Sequence, residues 1–149
     1  MSLTPAEALQ ATRGLVAALE IVDSRIVDWR IRLADTVADL ASNGAIALSS
    51  VVVPIDGFDP RLVGMVFSKN GEVIASGAGA AALGDPLAAV AWLANTLAPM
   101  GVTLPAGSVI MTGALHAMVP VSPGDVFRAE FDRLGPITIR MATDEETPA

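Results

Sequence analysis

The chain has 149 residues, of which 52% are hydrophobic and only 4% aromatic, and it carries a formal net charge of −7. This length is typical of one domain, so we predict a single domain over residues 1–149. Lys69 is the sole lysine, and this acidic balance excludes nucleic acid as a partner, because phosphate binding needs clustered Lys and Arg. There is no cysteine for a disulfide framework, and no uninterrupted apolar stretch is long enough to span a membrane. We therefore expect a cytoplasmic protein.

The first two predicted elements are a capped helix and a strand. Thr4 and Glu7 have the spacing of a capping box, which predicts a helix running to about Arg13 within an N-terminal segment, 1–14. Residues 15–26 are apolar and rich in β-branched side chains, which favours a strand.

The next predicted elements are a short helix and a strand, separated by a stop signal. Residues 35–42 are predicted to be helical, and Asn43-Gly44 ends the helix. Residues 45–53 form an apolar run ended by a proline, which predicts a strand.

The second half of the chain is predicted to hold a hairpin, a helix and further strands. Asn70-Gly71 lies between two apolar runs, the strongest short-range signal for a β-hairpin. The predicted elements are hairpin strands at 62–68 and 72–76, a helix at 86–97, a strand at 109–112 and a closing strand pair at 126–131 and 137–141. We predict an acidic, disordered tail at 143–149. This order indicates an α+β fold with a mixed, mainly antiparallel β-core and short flanking helices.

Glu20 is the first candidate for chemistry. It stands within the apolar run of the predicted strand, where a carboxylate is costly to bury unless it is paired or bound to a metal. It is either an oxygen ligand for Mg²⁺ or Mn²⁺, or an ion-pair partner of one of three nearby arginines. Those are Arg25, Arg30 and Arg32.

Three polar residues share one face of the predicted second helix: Asp35, Asp39 and Ser42. Such a face is ordinarily solvated. In a functional interpretation, Ser42 at the helix end binds a substrate carboxylate.

The remaining candidates lie later in the chain. Residues 77–84 are almost all Gly and Ala, which lets the backbone approach a ligand or another strand, but the spacing excludes a nucleotide-binding motif. Thr112-Gly113, at the end of a predicted strand, is either a carboxylate-binding element or a simple turn. His116 is the only histidine, without a second His or Cys for a zinc site, and we interpret it as structural.

Five separated segments together resemble one family. Residues 18–29, Ala-Leu-Glu-Ile-Val-Asp-Ser-Arg-Ile-Val-Asp-Trp, are similar to the metal-site strand of 2-keto-4-pentenoate hydratases, 2-oxohept-4-ene-dioate hydratases and 4-oxalocrotonate decarboxylases. The other four matching segments are 35–39, 77–84, 91–97 and 112–115.

The resemblance implies a fumarylacetoacetate hydrolase fold and a lyase of aromatic meta-cleavage catabolism. Such a hydratase or decarboxylase acts on a small 2-oxo or 2-hydroxydienoic acid, with Mg²⁺ or Mn²⁺ stabilising enolate charge at the 2-oxo group. By position it makes Glu20 a metal ligand, and Ser42 and Thr112 substrate-binding residues. It also implies a homo-oligomer or association with a partner lyase subunit.

Two departures from the family pattern matter. The family has Asn-Ala-Ser where this chain has Leu40-Ala41-Ser42, so an amide expected to orient nearby groups is missing. The family also carries a Glu-x-Glu pair and proton-transfer residues upstream of Glu20, for which this chain has no counterpart.

These departures imply the C-terminal portion of a family member, without its N-terminal part. We therefore expect little or no activity and poor cation binding by this chain alone. The alternatives are a non-catalytic structural or regulatory partner of an intact lyase and, third, a C–C bond hydrolase of the wider superfamily.

Overall fold

A computed structural model of the chain describes residues 2–143. The helices are α1 (Pro5–Ala11), α2 (Leu33–Ala38) and α3 (Pro86–Leu97), and short 3-10 turns lie between the elements. The strands are β1 (Ala18–Val22), β2 (Asn43–Leu48), β3 (Gly64–Lys69), β4 (Glu72–Ala78), β5 (Val126–Phe131) and β6 (Gly135–Arg140). Among these described residues no helix has the length and apolarity needed to cross a membrane.

The strands form two antiparallel sheets. β1 pairs with β2 in a two-stranded sheet, and the other four strands lie in the order β4-β3-β5-β6. A single bridge between Leu15 and Val53 extends the smaller sheet beyond its two strands. The α+β class with an antiparallel core is confirmed.

The core lies on one face of the four-stranded sheet, because inward side chains alternate along β3 and β5. Met65, Phe67, Phe127 and Ala129 are all buried, and the Phe67 and Phe127 rings stack with their centroids 5.7 Å apart. Ala17, which precedes β1, belongs to the same cluster. The core therefore connects the larger sheet to the start of the strand that carries Glu20.

The β3–β4 hairpin has the turn that its sequence predicts. Lys69 pairs with Glu72, so the loop has two residues, and both Asn70 (φ 52°) and Gly71 (φ 88°) have positive φ. This is the turn type that fits the right-handed twist of a hairpin.

The helix caps also agree with the sequence. Thr4 and Glu7 form the predicted capping box, and Asp85 accepts a hydrogen bond from the backbone N–H of Leu87 at the start of α3. α1 packs against α3, and Asn95 of α3 exchanges two hydrogen bonds with the backbone of Leu3.

Several predicted boundaries are wrong for local reasons. The predicted strand 15–26 is regular only over Ala18–Val22. At its C-terminal end the backbone N–H of Arg25 donates to the Asp39 side chain and not to a neighbouring strand. The predicted helix 35–42 begins at Leu33 and ends at Ala38, and the predicted strand 45–53 ends at Leu48.

The predicted strand 109–112 is absent. These residues are β-branched or apolar, but no neighbouring strand of residues 2–143 pairs with them, and pairing is what makes an extended segment a strand. They belong to a long irregular segment, residues 101–125. The closing pair is confirmed as β5 and β6. The predicted tail, apart from Thr143, lies outside the described residues.

Candidate functional site

A large open concavity of about 1660 Å³ lies between the two sheets and the irregular segment 101–125. Its walls come from β1, from the core face of β3 and β5, from helices α1 and α3, and from residues 102–121. Glu20 and Thr112 both lie on its lining, whereas Ser42 does not. The structure therefore brings two of the three predicted site residues to one cavity.

Glu20 is held by an amide and not by an arginine. The Asn43 side-chain Nδ2 donates to Glu20 Oε1 at 2.8 Å, and the register of β1 against β2 puts Val22 opposite Asn43. Glu20 is exposed, so the expected cost of burying its carboxylate does not arise. None of the three arginines predicted as partners forms an ion pair with Glu20, and Arg25 instead pairs with Asp39.

Asp39 is the centre of a buried polar cluster beside this strand pair. Its carboxylate accepts hydrogen bonds from the Arg25 side chain and backbone, from Ser24 Oγ at 3.1 Å and from Ser42 Oγ at 3.2 Å. Only 8% of its side chain is exposed, so the prediction of a solvated helix face is wrong for Asp39. Asp35 takes no part in this cluster and instead caps the start of α2.

The electrostatics of Asp39 favour its charged form. Burial alone would raise the pKa of Asp39, but hydrogen bonds from Arg25 and Ser24 and the Arg25 charge outweigh it, so the pKa is lowered. Arg25 also donates to the backbone carbonyls of Asp39 and Asn43. This one guanidinium therefore connects the Asp39 cluster to the residue that holds Glu20.

The turn between α2 and β2 is left-handed. Leu40, Ala41 and Ser42 have φ of 53°, 58° and 57°, a conformation that costs an L-residue roughly 1–2 kcal/mol. The backbone N–H of Ser42 donates to the Asp39 carbonyl, and the Ser42 carbonyl accepts from the Asp23 N–H, both at 2.8 Å. These bonds and the Asp39 cluster hold the turn in place, and the turn positions Asn43 beside Glu20.

The turn gives a physical reason why asparagine would suit position 40 better than leucine. Leu40 is 77% exposed, so its side chain is surrounded mainly by solvent. Asn adopts the left-handed region several-fold more readily than Leu. An asparagine at position 40 would therefore serve the backbone conformation of the turn, and Asn43 supplies the amide beside Glu20.

The segment that carries Thr112 is held by close packing against strands β3 and β4. A Cβ added at Gly77 would lie 3.0 Å from both the carbonyl carbon and the Cβ of Leu115, and closer still to its carbonyl oxygen. The His116 ring stacks on Phe67 with a centroid distance of 4.5 Å. The small residues of 77–84 therefore serve backbone-to-backbone packing at this point, one of the two roles that their composition left open.

Farther along, Lys69 fastens the same segment to the hairpin. Its Nζ lies 2.8 Å from Asp125 Oδ2 and 3.1 Å from the Pro120 carbonyl oxygen. Hydrogen bonds from Lys69 and Asn70 lower the pKa of Asp125. The one lysine is thus a structural residue.

The described residues do not form a complete metal site. No group of three His, Cys, Asp or Glu side chains within residues 2–143 is arranged to hold a cation. Mg²⁺ needs near-octahedral oxygen ligation and firm anchoring, and Glu20 offers it one carboxylate.

Asn43 and Arg25 are the residues that sequence reasoning missed. Asn43 was interpreted only as part of a helix stop, and Arg25 only as a partner for Glu20. The available signal was the position of Asn43 directly after Ser42, at the start of a strand that pairs with the Glu20 strand.

Comparisons with known proteins show which family the chain resembles. A family profile described as fumarylacetoacetate (FAA) hydrolase C-terminal matches residues 1–142. A 2-keto-4-pentenoate hydratase of Paraburkholderia xenovorans is 48% identical over 142 residues, which is 95% of this chain and 53% of that protein. A 4-oxalocrotonate decarboxylase of Pseudomonas sp. strain CF600 is 41% identical over 134 residues, 90% of this chain and 51% of that protein.

A solved structure supports the same relationship. The 4-oxalocrotonate decarboxylase of Pseudomonas putida G7, complexed with magnesium and adipate, matches with a TM-score of 0.88 and 37% identity over 95% of this chain and 55% of that one. The chain spans about half the length of the curated relatives it matches.

Proposed function

Because the chain belongs to the fumarylacetoacetate hydrolase family, we propose that it forms the C-terminal half of the active site of a 2-keto acid lyase of aromatic catabolism. The reaction class is hydration of a 2-hydroxydienoic acid or decarboxylation of a 2-oxo dicarboxylic acid. The observation that carries the proposal is the Glu20 carboxylate, exposed on the wall of the apolar concavity and bonded to Asn43.

In this proposal Glu20 contributes one ligand to Mg²⁺ or Mn²⁺. The solved relative that is complexed with magnesium supports the choice of a divalent cation. Asn43 engages Oε1, which leaves Oε2 for the metal. The other ligands have to come from outside this pair, since residues 2–143 contain no three-residue cluster of suitable side chains.

Thr112 and Ser42 are proposed to bind the substrate carboxylate. Thr112 lies on the concavity lining, so its hydroxyl is the more direct donor. The Ser42 hydroxyl donates to Asp39 within a buried cluster, so Ser42 would have to exchange that bond to reach a substrate. Thr112→Val should therefore weaken binding of a 2-oxo acid more than Ser42→Ala does.

The alternative proposal is a non-catalytic structural or regulatory partner of an intact hydratase or decarboxylase. It is supported by the described residues, 2–143, in which no group of three suitable side chains is arranged to hold a cation. The two proposals differ in whether Glu20 contacts a cation, so metal binding by this chain discriminates between them.

Calorimetric titration with Mn²⁺ tests both. We expect weak binding by the 149-residue chain that is lost in Glu20→Ala and kept in Glu72→Ala, an exposed glutamate on the other sheet. Equal heats from all three proteins would favour the structural partner. We also expect little or no turnover of 2-hydroxypenta-2,4-dienoate, and steady turnover by the pure chain would contradict the proposed incompleteness of the site.

We further propose a cytoplasmic location and association with further copies or with a partner lyase subunit. The many exposed large apolar side chains support association, since monomeric proteins seldom expose large contiguous apolar patches.

A further inference from the structure

The strand pair β1–β2 contains a β-bulge beside the amide that binds Glu20. The register is regular as far as Ile21, and then Val22 lies opposite Asn43, so that Gly44 is the extra residue of the bulge. A regular ladder would instead pair Asn43 with the residue that follows Val22. The bulge therefore shifts the pairing of Asn43 by one position, which is a common way to redirect a side chain.

This shift decides which face of the strand pair carries the Asn43 side chain. Successive side chains of a strand point to opposite faces, so Glu20 and Val22 share one face. Residues directly opposite each other across a pair also share a face, so Asn43 lies on the face of Glu20. A one-residue change of register would move it to the other face. The hydrogen bond of 2.8 Å from Asn43 Nδ2 to Glu20 Oε1 is the result.

The bulge itself has room for little more than a glycine. A Cβ added at Gly44 would lie 3.0 Å from the Ile21 carbonyl oxygen and 3.1 Å from the Asp23 Cβ. Both distances are shorter than the 3.4–4 Å of ordinary contact, so a side chain at this position would crowd the backbone of β1. The glycine after Asn43 thus supports the register that brings the amide to Glu20.

We propose that Asn43 makes this site selective for the small cations Mg²⁺ and Mn²⁺ over Ca²⁺. The inference rests on the proposed function, in which Glu20 is a metal ligand. Because the amide engages Oε1, Glu20 binds a cation through Oε2 alone. Asn43 is then a positioning residue, since it contacts the ligand and not the cation.

The different coordination of the two kinds of cation supplies the selectivity. Mg²⁺ is small and needs nearly octahedral ligation, which the two closely spaced oxygens of one carboxylate cannot both satisfy. Ca²⁺ takes about six to eight oxygen ligands in flexible geometry and readily binds both oxygens of a carboxylate. The Asn43 amide therefore withholds the second oxygen from Ca²⁺ and orients the first one for Mg²⁺.

The test is a chemical-shift titration of the isotope-labelled 149-residue chain with MgCl₂ and, separately, with CaCl₂, since this method detects binding in the millimolar range. We expect the wild type to bind Mg²⁺ at least as tightly as Ca²⁺. Asn43→Ala should lower the ratio of Mg²⁺ to Ca²⁺ affinity roughly fivefold, the effect of one hydrogen bond. The matched control is Asn95→Ala, which removes an amide bonded to Leu3 and should keep the wild-type ratio.

A second measurement tests the hydrogen bond itself, without a cation. The side-chain N–H resonances of Asn43 should move in Glu20→Ala, whereas those of Asn95 should stay in place. Unchanged Asn43 resonances overturn the proposal.

The titration separates this inference from the proposed function. An equal affinity ratio in Asn43→Ala and the wild type overturns the selectivity, and the proposed function stands if binding is lost in Glu20→Ala. Absence of any Glu20-dependent binding of either cation overturns the ligand role of Glu20 and the selectivity together.

Discussion

Gly77→Ala provides a direct test of how the Thr112 segment is held against the sheet. Gly77 lies in β4, and the backbone of Leu115 packs where its Cβ would be. The matched control is Gly64→Ala in the adjacent strand β3, where an added Cβ meets nothing within 4 Å. The two variants add the same methyl group to paired strands of one hairpin, and only one of them meets a neighbour.

The size of the effect follows from the contact distances. At Gly77 two Leu115 atoms would lie at 3.0 Å from the new Cβ, against 3.4–4 Å for ordinary contact, and the Leu115 carbonyl oxygen is closer still. Backbone cannot rotate away as a flexible side chain can, so the segment has to move. Overpacking of this kind costs about 1–3 kcal/mol. Gly64→Ala should instead stabilise the protein by about 0.4–1 kcal/mol, because alanine reduces the freedom of the unfolded chain.

Urea unfolding followed by circular dichroism measures both changes. With a slope of about 2 kcal/mol per molar urea, Gly77→Ala should lower the unfolding midpoint by about 0.5–1.5 M. The amide resonances of residues near Leu115 should shift in Gly77→Ala and stay in place in Gly64→Ala. Equal midpoints for Gly77→Ala and the wild type would refute the argument that this glycine is required by packing.

Three further predictions concern the turn, the acid response and the core. Leu40→Asn should raise the free energy of unfolding by about 0.5–1 kcal/mol, since asparagine tolerates the left-handed backbone better; urea unfolding at low protein concentration measures it, and a loss of stability would contradict the strain argument. The pKa of Asp125 is lowered in the folded protein, so its ionised carboxylate stabilises the fold. This contribution is complete above about pH 4, near the pKa of an unfolded aspartate, and is lost as the pH falls through the folded pKa. Lys69→Met should therefore reduce the loss of stability between pH 5 and pH 2, seen as a flatter plot of urea midpoint against pH. Phe127, 2% exposed, should cost about 3–5 kcal/mol when truncated to alanine, whereas Val73→Ala on the exposed surface should change the midpoint little.

The elements predicted correctly are those with a local cause. The Thr4 capping box, the Asn70-Gly71 turn and the Asp85 cap each depend on residues within a few positions of one another, so their sequence is sufficient. The predicted strand 109–112 failed because strand formation depends on a partner elsewhere in the chain. The composition of residues 109–112 is suitable for a β-strand, but whether another strand pairs with them depends on the tertiary structure.

The candidate site was predictable only in part, for the same reason. Glu20 stood out because it interrupts an apolar run, and the structure places it on the concavity lining. Asn43 did not stand out, since its contact with Glu20 spans 23 positions and depends on how β2 pairs with β1. The predicted ion pair between Arg25 and Glu20 was likewise wrong. The chain reverses at Leu40–Ser42, and Arg25 pairs with Asp39, which no rule based on sequence spacing indicates.

The left-handed turn and the Asp39 cluster explain how one strand pair can present a charged group at a fixed place. Three consecutive residues with positive φ are unfavourable by themselves, so they persist only because other contacts hold them. Arg25, which follows β1 in the chain, supplies those contacts through its hydrogen bonds to Asp39, and it donates to the Asn43 carbonyl as well. Arg25→Gln should therefore release the turn and, with it, the Asn43 amide that holds Glu20, because the Arg25 side chain bonds to Asp39 and to the Asn43 backbone carbonyl. If the proposed lyase function is right, this variant should lose Mn²⁺ binding together with Glu20→Ala while keeping the hairpin and core intact. Retention of Mn²⁺ binding by Arg25→Gln would mean that Glu20 is positioned without the cluster.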